Sequence, residues 1–112
     1  MRALEGDQVC MRIFISEGDK VDKKPLYKEL LNLLRKEEIA GATVLRGMAG
    51  FGAKSHLHTA GLLALSQDLP ILIEAVDTQE HLDRVLPKID AMVGEGLITL
   101  EKVHVLRYAP KK

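Results

Sequence analysis

Two periods alternate along this chain, and their order limits the folds open to it. Apolar residues recur at every second position in four segments and at every third or fourth in two, in the order strand, helix, strand, strand, helix, strand. Val9, Met11, Ile13 and Ile15 alternate with Cys10, Arg12 and Phe14 between Gly6 and the turn Ser16-Glu17-Gly18-Asp19, which predicts a first strand. Pro25 suits a first helical turn, and Tyr27, Leu30, Leu31 and Leu34 set an apolar stripe along a helix that Gly41 would stop. A second strand is predicted over 42–48, and a third over 71–76 behind Pro70. Thr78 can cap a second helix whose Leu82, Val85, Leu86, Ile89 and Val93 share a face. Pro87 lies deep in that helix, where it removes a hydrogen bond at a cost of about 3 kcal/mol, so a kink or two short pieces are expected. The last strand spans 97–108, and its apolar parity switches between Ile98, Leu100 and Val103, Val105, as a one-residue bulge would produce.

With right-handed crossovers, this β-α-β-β-α-β order is best satisfied by an α+β, ferredoxin-like sandwich, two helices covering one face of a four-stranded antiparallel sheet. The 112 residues suit a single domain over 1–112. Cys10, Phe14, Leu72 and Val76 make the second sheet face apolar as well, so both faces are expected to be buried, the bare one against other copies of the chain. Sixteen Lys and Arg balance sixteen Asp and Glu, which leaves no basic excess for a nucleic acid. The longest apolar run, 60–65, is far too short to enter a bilayer, and the first residues carry no signal-peptide core, so a cytoplasmic protein is expected. Cys10, with no second cysteine, reads as packing.

The seventeen residues 53–69 between the second and third strands exceed an ordinary connection and read as a functional loop. Leu57, Leu62, Leu63 and Leu65 make it apolar enough to be covered, by its own protein or by a partner. No nucleophile elbow, P-loop, zinc-binding cysteine set or dinucleotide fingerprint occurs, so no catalytic residue is assigned and the chain reads as a non-enzyme. The densest polar cluster is Gly50-Phe51-Gly52-Ala53-Lys54-Ser55-His56-Leu57-His58-Thr59. Its glycines could admit an anion to backbone amides, with Lys54 supplying charge and His56 or His58 a donor tunable near neutral pH; alternatively Gly50 and Gly52 merely turn the chain and Lys54, His56 and His58 are ordinary solvated loop residues. His56-x-His58 lacks the further ligands of a metal site. Gly94-Glu95-Gly96 forms a second flexible turn, Arg107 offers a fork suited to phosphate or carboxylate, and Glu74 interrupts an apolar strand with a carboxylate that needs a partner.

The run from Ile39 through Gly41, Thr43, Arg46 and Gly47 to Gly50-Phe51-Gly52 resembles the signature of the uncharacterised PII-like family, formerly a domain-of-unknown-function group. Pro25-Leu26-Tyr27, Asp68-Leu69-Pro70 and Glu95-Gly96-Leu97-Ile98-Thr99 extend that resemblance along nearly the whole chain. It implies a homotrimer related to PII signal-transduction proteins, with a partner-seeking loop and AMP, ADP or ATP in clefts between subunits. In those terms Gly41 and Thr43 match the start of the second-strand motif, Gly50, Phe51 and Gly52 the turn into the loop, Glu74 a third-strand carboxylate, and Gly94 and Gly96 the phosphate turn. The lysine that follows the phosphate turn in PII proteins is Leu97, their tandem arginines are reduced to Arg107, one residue is added between Thr43 and Gly50, and the tyrosine they nucleotidylate in the loop is missing, so nitrogen regulation is not implied. Genomic association of such proteins with fluoride-channel-type membrane proteins suggests a role in anion export. The expectation is a cytoplasmic regulator, requiring no cofactor, that holds a small anionic effector between Gly50–His58 of one subunit and Gly94–Gly96 with Arg107 of a neighbour. The loop 53–69 would then act on a membrane transporter or channel. The rivals are a ligand-free adaptor and a metal-assisted hydrolase using His56, His58 and Glu74.

Overall fold

The computed structural model describes residues 3–52, 58–59 and 68–109. Its elements are β1 (Leu4–Ser16), β2 (Lys20–Val21), β3 (Lys24–Pro25), α1 (Leu26–Lys36), β4 (Ala42–Arg46), β5 (Ala49–Gly50), β6 (His58–Thr59), β7 (Pro70–Asp77), α2 (Gln79–Met92) and β8 (Leu97–Tyr108). Strands β4, β7, β1 and β8, in that order, make one antiparallel sheet. This is the ferredoxin-like arrangement, with β2–β3 and β5–β6 as small added hairpins.

The odd-numbered side of β1 explains the layering. Val9, Met11, Ile13 and Ile15 pack with Ile71, Ile73 and Ala75 of β7 against Leu26, Leu30 and Leu34 of α1 and Leu82, Val85 and Ile89 of α2. Each large side chain buried in this way contributes about 1.5–3 kcal/mol. The stripe of α1 is rotated from the predicted one: Leu26 is buried and Leu31 is exposed, because the buried residues follow an i, i+4, i+8 ladder that leaves Leu31 to one side. Pro25 caps α1 instead of opening it, and the helix stops at Lys36, before Glu38 adopts a φ of 59°, rather than at Gly41. The predicted second strand ends early, β4 stopping at Arg46, and Ala49–Gly50 beyond it forms β5 of a separate two-stranded sheet.

Helix α2 is capped as expected, the Thr78 hydroxyl accepting the His81 amide at 3.1 Å. It continues through Pro87 as one helix, contrary to the expected kink. Pro87 and Asp83, whose carbonyl loses its donor, are both exposed, so water can take the lost bond.

The predicted bulge in β8 is also relocated. Register with β1 is constant from Phe14↔Leu97 to Gly6↔Val105 and shifts once, between Gly6 and Leu4, where β8 carries an extra residue before Tyr108. The parity switch has a different origin. Burial beneath the helices ends at Val9; beyond it the helix side carries Asp7 and His104, while Val103 and Val105 occupy the open side. On that open side Leu45, Leu72, Phe14 and Leu97 stand side by side, followed by a row of Thr43, Glu74, Arg12 and Thr99. Cys10 is buried there, but Phe14, Leu45 and Leu97 are exposed in the protomer, on the face that the sequence leads one to expect against other copies of the chain. Among the described residues no helix is long and apolar enough to cross a membrane.

Candidate functional site

A cleft of about 440 Å³ opens at the end of the sheet where β4 begins and β8 finishes. One wall is the chain entering β4, Ala40 to Thr43, with Glu74, Ala75 and Val76 of β7; the other is Leu4, Val105, Arg107 and Tyr108. Pairing of Thr43 with Glu74 sets the first wall. The second is brought over by the bulge in β8 and by Gly6, whose φ of 79° bends the β1–β8 ribbon. Ala40 is gripped from both sides. Its amide donates to Oδ2 of the fully buried Asp77 at 2.8 Å, and its carbonyl accepts from the Tyr108 hydroxyl. Asp77 is itself anchored, Oδ1 accepting the Thr78 amide at 2.6 Å and lying 3.3 Å from His81 Nδ1.

The charge in the cleft is arranged around Glu74. Its Oε2 accepts from Arg12 Nε at 2.8 Å, and Arg12 Nη1 donates to Glu101 Oε1 at 3.0 Å, so a structural cation meets the carboxylate that interrupts β7. These hydrogen bonds, that to Glu74 foremost, raise the Arg12 pKa and keep it charged. Burial, then the nearby Glu74 charge, pushes the Cys10 thiol above its usual value. Arg107 makes no ion pair among the described residues. A cleft of mixed polar and apolar walls, with a guanidinium that has no ion-pair partner among the described residues and a half-buried carboxylate, suits a small organic anion better than a metal ion. No group of three metal-ligating side chains occurs among the described residues.

The model of a family described as "Uncharacterized ACR, COG1993" matches residues 8–105. The chain belongs to this DUF190 family. A UPF0166 protein of Methanocaldococcus jannaschii is 37% identical over 98 residues, 87% of this chain and 90% of the relative, and one of Aquifex aeolicus is 38% identical over 96 residues, 86% and 90%. In fold, the DUF190 chain is similar to CPII, a nitrogen regulatory PII-like protein from Thiomonas intermedia K12 solved with ADP, AMP and bicarbonate. The TM-score is 0.60 at 18% identity, over 93% of this chain and 91% of that one. A PII-like protein of Thermus thermophilus superposes with a TM-score of 0.66 at 16% identity, over 95% and 94%. The fold is therefore PII-like, as the sequence resemblance implies.

In the DUF190 chain the residues singled out from sequence fall into two groups. Gly41, Thr43, Glu74 and Arg107 converge on the cleft. Gly50, Phe51, Gly52, Gly94 and Gly96 lie at the opposite end of the sheet, where β7 starts and β1 finishes. Gly96 and Arg107 flank the regular part of β8, whose register with β1 is unbroken from Leu97 to Val105, roughly 26 Å at about 3.3 Å per residue. The expected pairing of Gly94–Gly96 and Arg107 from one neighbour on one small effector is therefore ruled out by distance. The glycines also differ among themselves. A Cβ on Gly50 would lie 2.8 Å from Pro70 Cγ, and one on Gly96 2.8 Å from the Phe14 carbonyl oxygen, whereas at Gly52 and Gly94 it would meet nothing within 4 Å among the described residues. The β5–β6 pairing sets Gly50 opposite His58. Lys54, His56, Leu57, Leu62, Leu63, Leu65 and most of the loop 53–69 lie outside the described residues, as does the side chain of His58. Sequence reasoning did not identify Leu4, Ala40, Asp77 or Tyr108; the signals present were a carboxylate just before a helix cap and an aromatic closing a strand.

Proposed function

We propose that this DUF190 protein is a PII-like regulator that binds a small anionic effector, an adenine nucleotide, in a cleft completed by a second copy of the chain. The observation that carries the reading is the convergence of Gly41, Thr43, Glu74 and Arg107 on one cleft of about 440 Å³, within the size range of sites for small ligands. The opposite end of the sheet would supply the second half: Gly50, Phe51, Gly52, Gly94 and Gly96 of a neighbour, with Lys54 and His58 following. Gly52 and Gly94 support this, because among the described residues neither space nor backbone conformation requires glycine there. The apolar row Leu45, Leu72, Phe14 and Leu97 supports contact between copies through the open face, in a homotrimer of single-domain subunits spanning 1–112. CPII, solved with ADP and AMP, makes the nucleotide class the first to test.

In this reading the protein is a cytoplasmic sensor and not an enzyme, and it needs no cofactor. The effector would switch the loop 53–69 between states, which requires different affinity for each, and the loop would act on a membrane transporter or channel. Isothermal titration calorimetry with AMP, ADP and ATP tests the site. Binding by at least one of them, weakened about tenfold or more by Arg107→Ala as expected for loss of a charge-assisted contact, supports it. Absence of heat with all three refutes the nucleotide class.

A further inference from the structure

Ala40 and Tyr108 touch although the sheet holds them apart. Ala40 precedes β4 and is level with Asp77, whose partner across β1 is Val9, itself opposite Lys102 of β8. Strand β4 is therefore three strand spacings from β8, about 14 Å across a flat sheet. Tyr108 is six residues beyond Lys102, roughly 20 Å further along a straight strand. The positive φ of Gly6 and the bulge in β8 mark where the β1–β8 ribbon leaves the straight course and reaches Ala40, and Leu4 beyond them is buried. The Tyr108 hydroxyl fastens the bent ribbon to the Ala40 carbonyl, and the space enclosed beneath it is the cleft. Its anchor is rigid, since the Ala40 amide is held by the buried Asp77.

We propose that Tyr108 is a positioning residue that straps this ribbon over the cleft and so fixes the wall that carries Arg107. It rests on the reading of the cleft as the effector site. Arg107 adjoins the strapped residue, so its guanidinium is held at the cleft only while the ribbon is fastened; released, it moves with the strand end. The strap therefore sets the affinity for the charged part of a ligand and leaves the uncharged part largely unaffected.

The test compares Tyr108→Phe, Arg107→Ala and the double variant, titrated with AMP and with adenosine. Tyr108→Phe is expected to weaken AMP about tenfold while leaving adenosine within about twofold, and the double variant to bind AMP no worse than Arg107→Ala alone, because both changes act through one contact. Equal AMP affinity in Tyr108→Phe and the unaltered chain, or additive losses in the double variant, would overturn the proposal. Hydrogen exchange provides a readout independent of ligand: the amides of Gly6, Arg107 and Tyr108 should exchange at least about tenfold faster in Tyr108→Phe. Unchanged exchange refutes the strap whatever the titrations give. If the unaltered chain binds neither nucleotide nor nucleoside, the effector reading falls, and exchange alone then decides the strap.

Discussion

Gly96→Ala separates packing from ligand binding at the glycine turns. The added methyl carbon would sit 2.8 Å from the Phe14 carbonyl oxygen, 3.0 Å from Val93 Cγ1 and 3.2 Å from Ile15 Cγ2. The carbonyl belongs to the central strand β1, paired on both sides, so it cannot retreat without disturbing two ladders. Overpacking of this kind costs about 1–3 kcal/mol. With an unfolding entropy of about 2.1 cal/mol/K per residue, a loss of about 2 kcal/mol over 112 residues lowers Tm by roughly 8 °C. Gly94→Ala is the control: its Cβ meets nothing within 4 Å among the described residues, and its Tm should stay within about 2 °C while effector affinity falls. Thermal melts followed by far-UV circular dichroism read both. A Gly96→Ala melt indistinguishable from the unaltered chain would mean that β8 does not approach Phe14 as described, and the steric argument for Gly96 would be wrong.

Three other changes probe other parts of the chain. Asp77→Asn must aim an amide N–H at the amide of either Ala40 or Thr78, a clash of donors in a fully buried place, and should cost about 1–3 kcal/mol; an unchanged denaturant midpoint would show that these bonds carry no weight. Lys23 holds a φ of 68° at the tip of the β2–β3 hairpin, a strain of roughly 1–2 kcal/mol that Lys23→Gly relieves, less about 0.5–1 kcal/mol for the freer unfolded chain. Its Tm should rise by a few degrees, and a fall would refute the strain. The raised pKa of Cys10 means less thiolate at mildly alkaline pH, and burial adds steric protection, so iodoacetamide should modify Cys10 more than about tenfold slower than free cysteine at pH about 8. Modification at the free-thiol rate would contradict the packing of the open face.

The strands and helices are legible because their periods are local. Val9, Met11, Ile13 and Ile15 declare a buried face without reference to any other segment, and Thr78 announces the start of α2 by its own chemistry. What the periods do not resolve are choices made by the third dimension. Leu26 or Leu31 could each complete the stripe of α1, and packing against the sheet buries Leu26 with Leu30 and Leu34 and leaves Leu31 exposed. Pro87 suggests a break because sequence shows its cost but not whether its face is wet. In β8 the parity switch is visible and its cause is not: the helices cover the sheet only as far as Val9, a fact about layer length and not about any one residue. In the candidate site, Gly41, Thr43, Glu74 and Arg107 can be named separately from the resemblance and from charge, and the fold brings them together. The contact of Tyr108 with Ala40 spans 68 positions and depends on a bend, so nothing in either neighbourhood foretells it.

The separation of Arg107 from Gly96 along β8 has a consequence for mixtures. A ligand that needs both ends of the sheet can be satisfied only at a junction, where the tail of one protomer meets the head of the next. Damage to either end then silences every junction of a uniform assembly, yet two differently damaged chains can complement one another. Co-assembled in equal amounts at random, chains lacking Arg107 and chains altered at Gly94 should regain roughly a quarter of the junctions, a recovery that neither population shows alone.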